Sequence, residues 1–205
     1  VESVITGSIR DIREFTGTVY PIYQYIVAPK VSGRVTTIRK RIGDFVRSGE
    51  TVAKIDDAEY QQAVLEAEAN LKIAQASLAE SKSQFELATQ ERERVRSLQE
   101  KGIASSSELD TAEMNYSAQE SRYKLAQAQV EQREAALKSA QIRLSYTVLQ
   151  ATEKGFIGER FVDEGALLSP NSPVMSVIGL DSVIVRTTII ERDYGLINNG
   201  QEAEI

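Results

Sequence analysis

Between Asp57 and Tyr146, apolar and small residues recur at alternating spacings of four and three. One run goes from Tyr60, Val64, Ala67 and Leu71 to Phe85, Ala88 and Val95. A second goes from Leu109, Ala112 and Tyr116 to Leu137, Ala140 and Leu144. Sustained this long, the spacing is the heptad signature of a coiled coil, not the looser stripe of a helix lying on a globular core. A single break, Lys101 to Ser107, divides the pattern into two arms of roughly 55 to 65 Å each at ~1.5 Å per residue. Large residues alternate with small ones along both seams, so two antiparallel backbones can approach and interlock. The pattern therefore predicts a long antiparallel helical hairpin over residues 57–146, with Glu, Gln, Lys, Ser and Ala on its solvated faces. Arg92, Arg133, Gln119 and Ser81 interrupt the apolar seam. Polar residues at such positions fix register, the alternative being contacts between neighbouring copies.

On both sides of the hairpin the period changes to that of short strands. Val4-Ile5-Thr6 and Gly17-Thr18-Val19-Tyr20 read as β-structure punctuated by Gly7, Gly17 and Pro21, and "YQYIV" as a further strand ending at Pro29. "VSGRVTTIRKRIGDFVRSGETVAKID" then breaks into short strands at Gly33, Gly43 and Gly49. After the hairpin, "GFIGERFVDEGALLSPNSPVMSVIG" repeats the pattern at a shift of 122 residues. Gly33 falls on Gly155, Gly43 on Gly165, Val46 on Leu168, Val52 on Val174 and Ile55 on Val177. Asn171 stands where the first copy has Gly49, an exchange that keeps a positive φ accessible. Two similar halves around an insertion are most simply one pseudo-symmetric β-sandwich with the hairpin inserted at its middle. Residues 181–205 alternate again, with Val183, Val185, Thr187 and Ile189 on one face and a turn signal at Asn199-Gly200. The fold class expected is α+β and multi-domain: a hairpin at 57–146, a split sandwich at 27–56 with 147–180, and part of a β-barrel at 1–26 with 181–205.

Composition narrows the chemistry. The 205 residues contain no Cys and no His, which removes disulfides, thiolate nucleophiles and the commonest general base and metal ligand. The formal net charge of -6 argues against a nucleic-acid partner. Asp56-Asp57 and Glu191 with Asp193 are turn, cap and surface charges without companions for acid/base or metal work, and Met114 and Met175 are isolated. No catalytic, cofactor or metal site is expected. No run of about 20 apolar residues is present. The chain begins at Val1 and ends inside a strand-like pattern, so it reads as a portion of a longer protein whose membrane anchor lies outside it.

The order of parts, half-motif, heptad hairpin, half-motif, then "VIVRTTIIERDYGLINNGQEAEI", resembles the periplasmic adaptor (membrane fusion protein) family of tripartite efflux pumps over essentially the whole chain. The resemblance implies a lipoyl-like (biotinyl-lipoyl-like) domain split by an α-hairpin, followed by a β-barrel. It also implies a non-enzymatic role in the periplasm. An adaptor of this family, anchored to the inner membrane, joins an inner-membrane transporter to a TolC-type outer-membrane channel and self-associates into a ring. The transporter implied is of the resistance-nodulation-division type. The alternative is an ABC-type exporter or type I secretion system, whose adaptors usually have longer hairpins. A lipoyl or biotinyl carrier subunit is the rival from another class. It would need a modifiable Lys at the turn between the halves, whereas Ile55-Asp56-Asp57 opens into the hairpin, and Lys30 and Lys54 sit in strand-like runs. A structural coiled coil with incidental β caps would leave the repeat unexplained.

The candidate partner-binding site is the tip, "RVRSLQEKGIASSSELDTAE". Gly102 is placed to end the first arm as its C′ residue, and Ser105 with Glu108 to open the second as a capping box. The resemblance adds an Arg-Leu-Ser set, Arg94, Leu98 and Ser105, with Asp110 five residues on, as the surface that docks on the channel. Ile103 lies between them. Arg94 and Leu98 share a face at i, i+4, and Leu98 lies off the seam register, so it is expected to be exposed. The bland alternatives are a solvated charge for Arg94, a turn-closing contact for Leu98 and a plain N-cap for Ser105.

Overall fold

The repeat is built as two interleaved halves. The computed structural model describes residues 14–195 and 197–201. Strand β1 (Gly17–Val27) leads into β2 (Gly33–Ile38), β3 (Phe45–Val46) and β4 (Thr51–Ile55), followed by helices α1 (Ala58–Glu100) and α2 (Ser106–Ser145). The second half follows as β5 (Val148–Gln150), β6 (Gly155–Arg160), β7 (Leu167–Leu168) and β8 (Met175–Thr187). The chain makes a short helix, α3 (Glu191–Tyr194), where the sequence pattern predicts strand. The expected strand at Val4-Ile5-Thr6, the side chain of Asp193 and the last four residues lie outside the described residues.

The strands form two four-stranded sheets, in the orders β1-β8-β6-β3 and β5-β4-β2-β7. Each half thus lends its two-residue strand to the other half's sheet: β3 pairs with β6, and β7 with β2. The 122-residue shift holds bond by bond. Val35 N donates to Ala166 O at 2.9 Å, and Ile157 N to Asp44 O at 2.9 Å. Gly49 N donates to Ala151 O, and Asn171 N to Pro29 O, both at 2.8 Å. Gly43 and Gly165 adopt φ of 88° and 89°, and Asn171 is the non-glycine residue with positive φ, 66°, opposite Gly49 at 78°. The inward-facing pairs Val46 and Leu168, Val52 and Val174, and Ile55 and Val177 are all buried. With Val35, Leu149, Ile157 and Met175 they form one core between the sheets.

The hairpin emerges where β4 and β5 pair, through Ala53↔Leu149 and Lys54↔Val148. Asp56 Oδ1 accepts from Ala58 N at 3.1 Å, and Lys54 bridges to Asp57 at 3.0 Å, so both acids organise the start of α1. Lys30 lies in the loop between β1 and β2, not in a strand, with its ammonium over the Tyr146 ring at 4.8 Å.

All eleven seam positions of α1 are shielded, as are those of α2 except Arg133, which is exposed. Phe85 packs between Tyr116 (5.3 Å between centroids) and Tyr123 (5.5 Å, near-parallel), and the Arg92 guanidinium lies 3.8 Å over Tyr116. Arg92 is thereby accommodated inside the seam by a cation–π contact. Among the described residues no helix is long and apolar enough to cross a membrane.

Candidate functional site at the hairpin tip

The five residues 101–105 reverse the chain between α1 and α2. Gly102 has φ +74°, and its N–H donates to Gln99 O at 2.9 Å. The N–H groups of Ile103 and Ala104 reach the Leu98 carbonyl at 2.9 and 3.4 Å, so the exposed end of α1 is closed by its own loop. The capping box forms as the spacing predicts. Glu108 N donates to Ser105 Oγ at 3.3 Å, while Ser105 N and Oγ donate to Glu108 Oε2 at 2.7 and 2.9 Å. These hydrogen bonds from Ser105 hold the Glu108 carboxyl below the usual carboxylate range. The apex is consequently a small turn held by hydrogen bonds at both helix ends.

The residues singled out from sequence are gathered in this end of the hairpin, but they present themselves unequally. Arg94 is 69% exposed, and its guanidinium donates to both carboxylate oxygens of Glu91, at 2.8 and 2.7 Å. That hydrogen bond keeps its pKa above even the ordinary arginine value. Glu91 was not singled out in the sequence; the available signal is an acid three residues before the Arg on one helical face. Leu98 corrects the expectation of an exposed side chain: it is half-buried. It lies in the last turn of α1, onto which the loop folds back through hydrogen bonds to the Leu98 carbonyl. The apolar side chain the tip offers to solvent is instead Ile103, 71% exposed. Gly102, Ser105 and Asp110 are exposed as well.

Chemically the tip holds no cluster suited to catalysis or metal binding. It offers hydroxyls, one ion-paired guanidinium and one isoleucine on a rigid rod end, which is equipment for contact.

Comparison with known proteins places the same segment. Residues 70–147 match the family described as "RND MFP, alpha-helical hairpin domain". The chain is 30% identical over 182 residues to the uncharacterized protein YdhJ of Escherichia coli (strain K12), covering 89% of this chain and 59% of the relative. It is 28% identical over 199 residues to the multidrug resistance protein MdtA of Proteus mirabilis (strain HI4320), covering 95% and 45%. It shares its fold with the crystal structure of MacA from Actinobacillus actinomycetemcomitans: TM-score 0.80, 24% identity, 88% of this chain and 57% of that one. The chain spans less than two thirds of the length of the curated relatives it matches, 65% in the Yersinia pestis relative named UPF0194 membrane protein.

Proposed function

We propose that this chain, similar in its hairpin and fold to the membrane fusion protein family of periplasmic adaptors, serves in a non-enzymatic adaptor joining an inner-membrane efflux transporter to a TolC-type outer-membrane channel. The observation that carries this reading is the combination of a hairpin with 43- and 40-residue arms and a hydrogen-bonded tip, rooted in a single β core. Such a rod spans distance and ends in a defined contact surface. On this reading residues 27–56 with 147–180 are the lipoyl-like module, 57–146 the hairpin, and 1–26 with 181–205 part of a barrel. The modules associate side by side into a ring around the conduit, in the periplasm, and the tips meet the channel through Arg94, Leu98, Gly102, Ile103, Ser105 and Asp110. A transporter of the resistance-nodulation-division type is supported by the hairpin family, and drug export by the printed name of the Proteus relative.

The test is crosslinking in cells. Cys is absent from these 205 residues, so Ser105→Cys in the full-length protein introduces one thiol here, to be paired with single cysteines at the periplasmic end of the channel. Crosslinks at the tip, with efflux lost in Arg94→Asp at normal protein levels, support the reading. No crosslinks and wild-type efflux would remove the channel as the tip's partner.

A further inference from the structure

We propose that Ile103 is a single knob that enters the hole between two paired helices of the partner, while the half-buried Leu98 side chain stays out of that contact and its carbonyl holds the turn. This deepens the docking reading above and rests on it. Three observations carry the assignment. Ile103 is the large apolar side chain at the apex, 71% exposed, while Leu98 is half-buried. Its backbone is fixed, because Ile103 N donates to the Leu98 carbonyl at 2.9 Å and the capping box holds Ser105 two residues later. Its neighbours are small: Gly102 and Ala104 flank it, and Ser105, Ser106 and Ser107 follow. A β-branched side chain on a fixed backbone loses little rotamer freedom on insertion. A collar no larger than Ser lets a partner backbone come close around it.

The charge pattern narrows the partner further. From Ser97 to Ser107 the apex carries one acid, Glu100, and one base, Lys101, so it has no net charge. Within these eleven residues no excess charge of either sign points to a strongly charged groove, a phosphate or an anionic lipid surface. An isolated β-branched knob on a neutral collar fits the four-residue hole that packed helices present. The partner is thus the uncharged end of a helix pair, which in the docking reading is the periplasmic end of the channel.

The experiment measures binding of the full-length protein to the outer-membrane channel purified from the same organism in detergent, by biolayer interferometry, with thermal unfolding in parallel. Ile103→Ser should weaken binding by about tenfold or more, mostly through faster dissociation, with an unchanged thermal midpoint. Ile103→Val should stay within about threefold. Leu98→Ala removes a half-buried side chain and should lower the midpoint. Wild-type affinity in Ile103→Ser, alongside lost binding in Arg94→Asp, would overturn the knob and leave tip docking standing. If the unmodified protein itself fails to bind the channel, both readings fall. If Ile103→Ser reduces self-association and leaves channel affinity intact, the knob meets a second copy and the assignment to the channel is wrong.

Discussion

Phe85 offers the most direct check on how the two arms meet. Its ring lies 5.5 Å from that of Tyr123, nearly parallel, and 5.3 Å from that of Tyr116 at 43°. Truncating a fully buried Phe costs about 3–5 kcal/mol; Phe85 is half-buried, so Phe85→Ala should cost roughly 2 kcal/mol. Of that, about 1 kcal/mol should be pairwise coupling to Tyr123, the usual excess of an aromatic pair over its area burial. A double-mutant cycle of Phe85→Ala and Tyr123→Ala isolates it, read by urea unfolding with far-UV circular dichroism. Native-state hydrogen exchange is the sharper readout, because it follows the hairpin amides separately from those of the β core. A 2 kcal/mol loss should speed exchange of the amides flanking Phe85 roughly thirtyfold and leave the β4 amides unaffected. Zero coupling with a cost under about 0.5 kcal/mol would mean that these rings do not meet, and the antiparallel register described here would be wrong.

Four further outcomes follow from the geometry. Ser105→Ala removes the cap acceptor of α2 and should cost about 1 kcal/mol by the same exchange measurement at the tip, with Ser105→Asn recovering most of it. Gly102→Ala meets no atom within 4 Å, so its penalty, about 1–2 kcal/mol, is that of the left-handed backbone alone, and Gly102→Asn should be milder. At Asn171, whose φ is 66°, Gly should be tolerated and Val should lower the thermal midpoint of the β core well beyond the effect of Gly. Lys40 and Lys54 donate to Glu50 and Asp57 and hold both carboxyls below their ordinary range. A depressed carboxyl stabilises the fold above its unfolded pKa and loses that contribution as pH falls through the folded value. The thermal midpoint should therefore drop on acidification below about pH 4, and Glu50→Gln should flatten the drop.

Those elements whose signal is periodic were legible in the sequence. Heptad spacing located the hairpin and all of its seam except Arg133, and the 122-residue shift anticipated Asn171 at positive φ and the buried equivalents of Val46, Val52 and Ile55. What escaped was set by contacts between segments that periodicity does not couple. Leu98 is half-buried, and residues 103 and 104 bond back to its carbonyl, a loop geometry that no spacing rule encodes. Arg94 is ion-paired along its own helix through Nη2, a pairing with Glu91 that the heptad spacing does not encode. The helix at Glu191–Tyr194 departs from a strand alternation that had no sheet neighbour to enforce it beyond Thr187, where the pairing with β1 ends. Pro21 does not end its strand as expected either; β1 runs on through a register shift between Pro21 and Tyr23.

The internal symmetry has a mechanical consequence. The hairpin leaves the sandwich beside the pairs Ala53↔Leu149 and Lys54↔Val148. Their equivalents 122 residues away are Val27↔Met175 and Ile26↔Ser176, from which β1 and β8 run on as a two-stranded ribbon to Gly17↔Thr187. One half-motif thus ends in a helical rod and its counterpart in a β-ribbon, and the same buried core lies behind both exits. The ribbon is braced at its root: Tyr25 donates from its hydroxyl to Glu153 O at 2.6 Å, Tyr23 donates to Lys154 O, and Lys154 bridges to Asp181 at 2.6 Å. The rod is braced by Lys54 with Asp57, and by the Tyr60 hydroxyl donating to Ser32 O at 2.7 Å. A close-packed core of fully buried Val, Ile and Met transmits displacement with little compliance. For a core moving as one body, each degree of tilt at the ribbon corresponds to a lateral shift of about 1 Å at Ile103, at the end of an arm of some 60 Å.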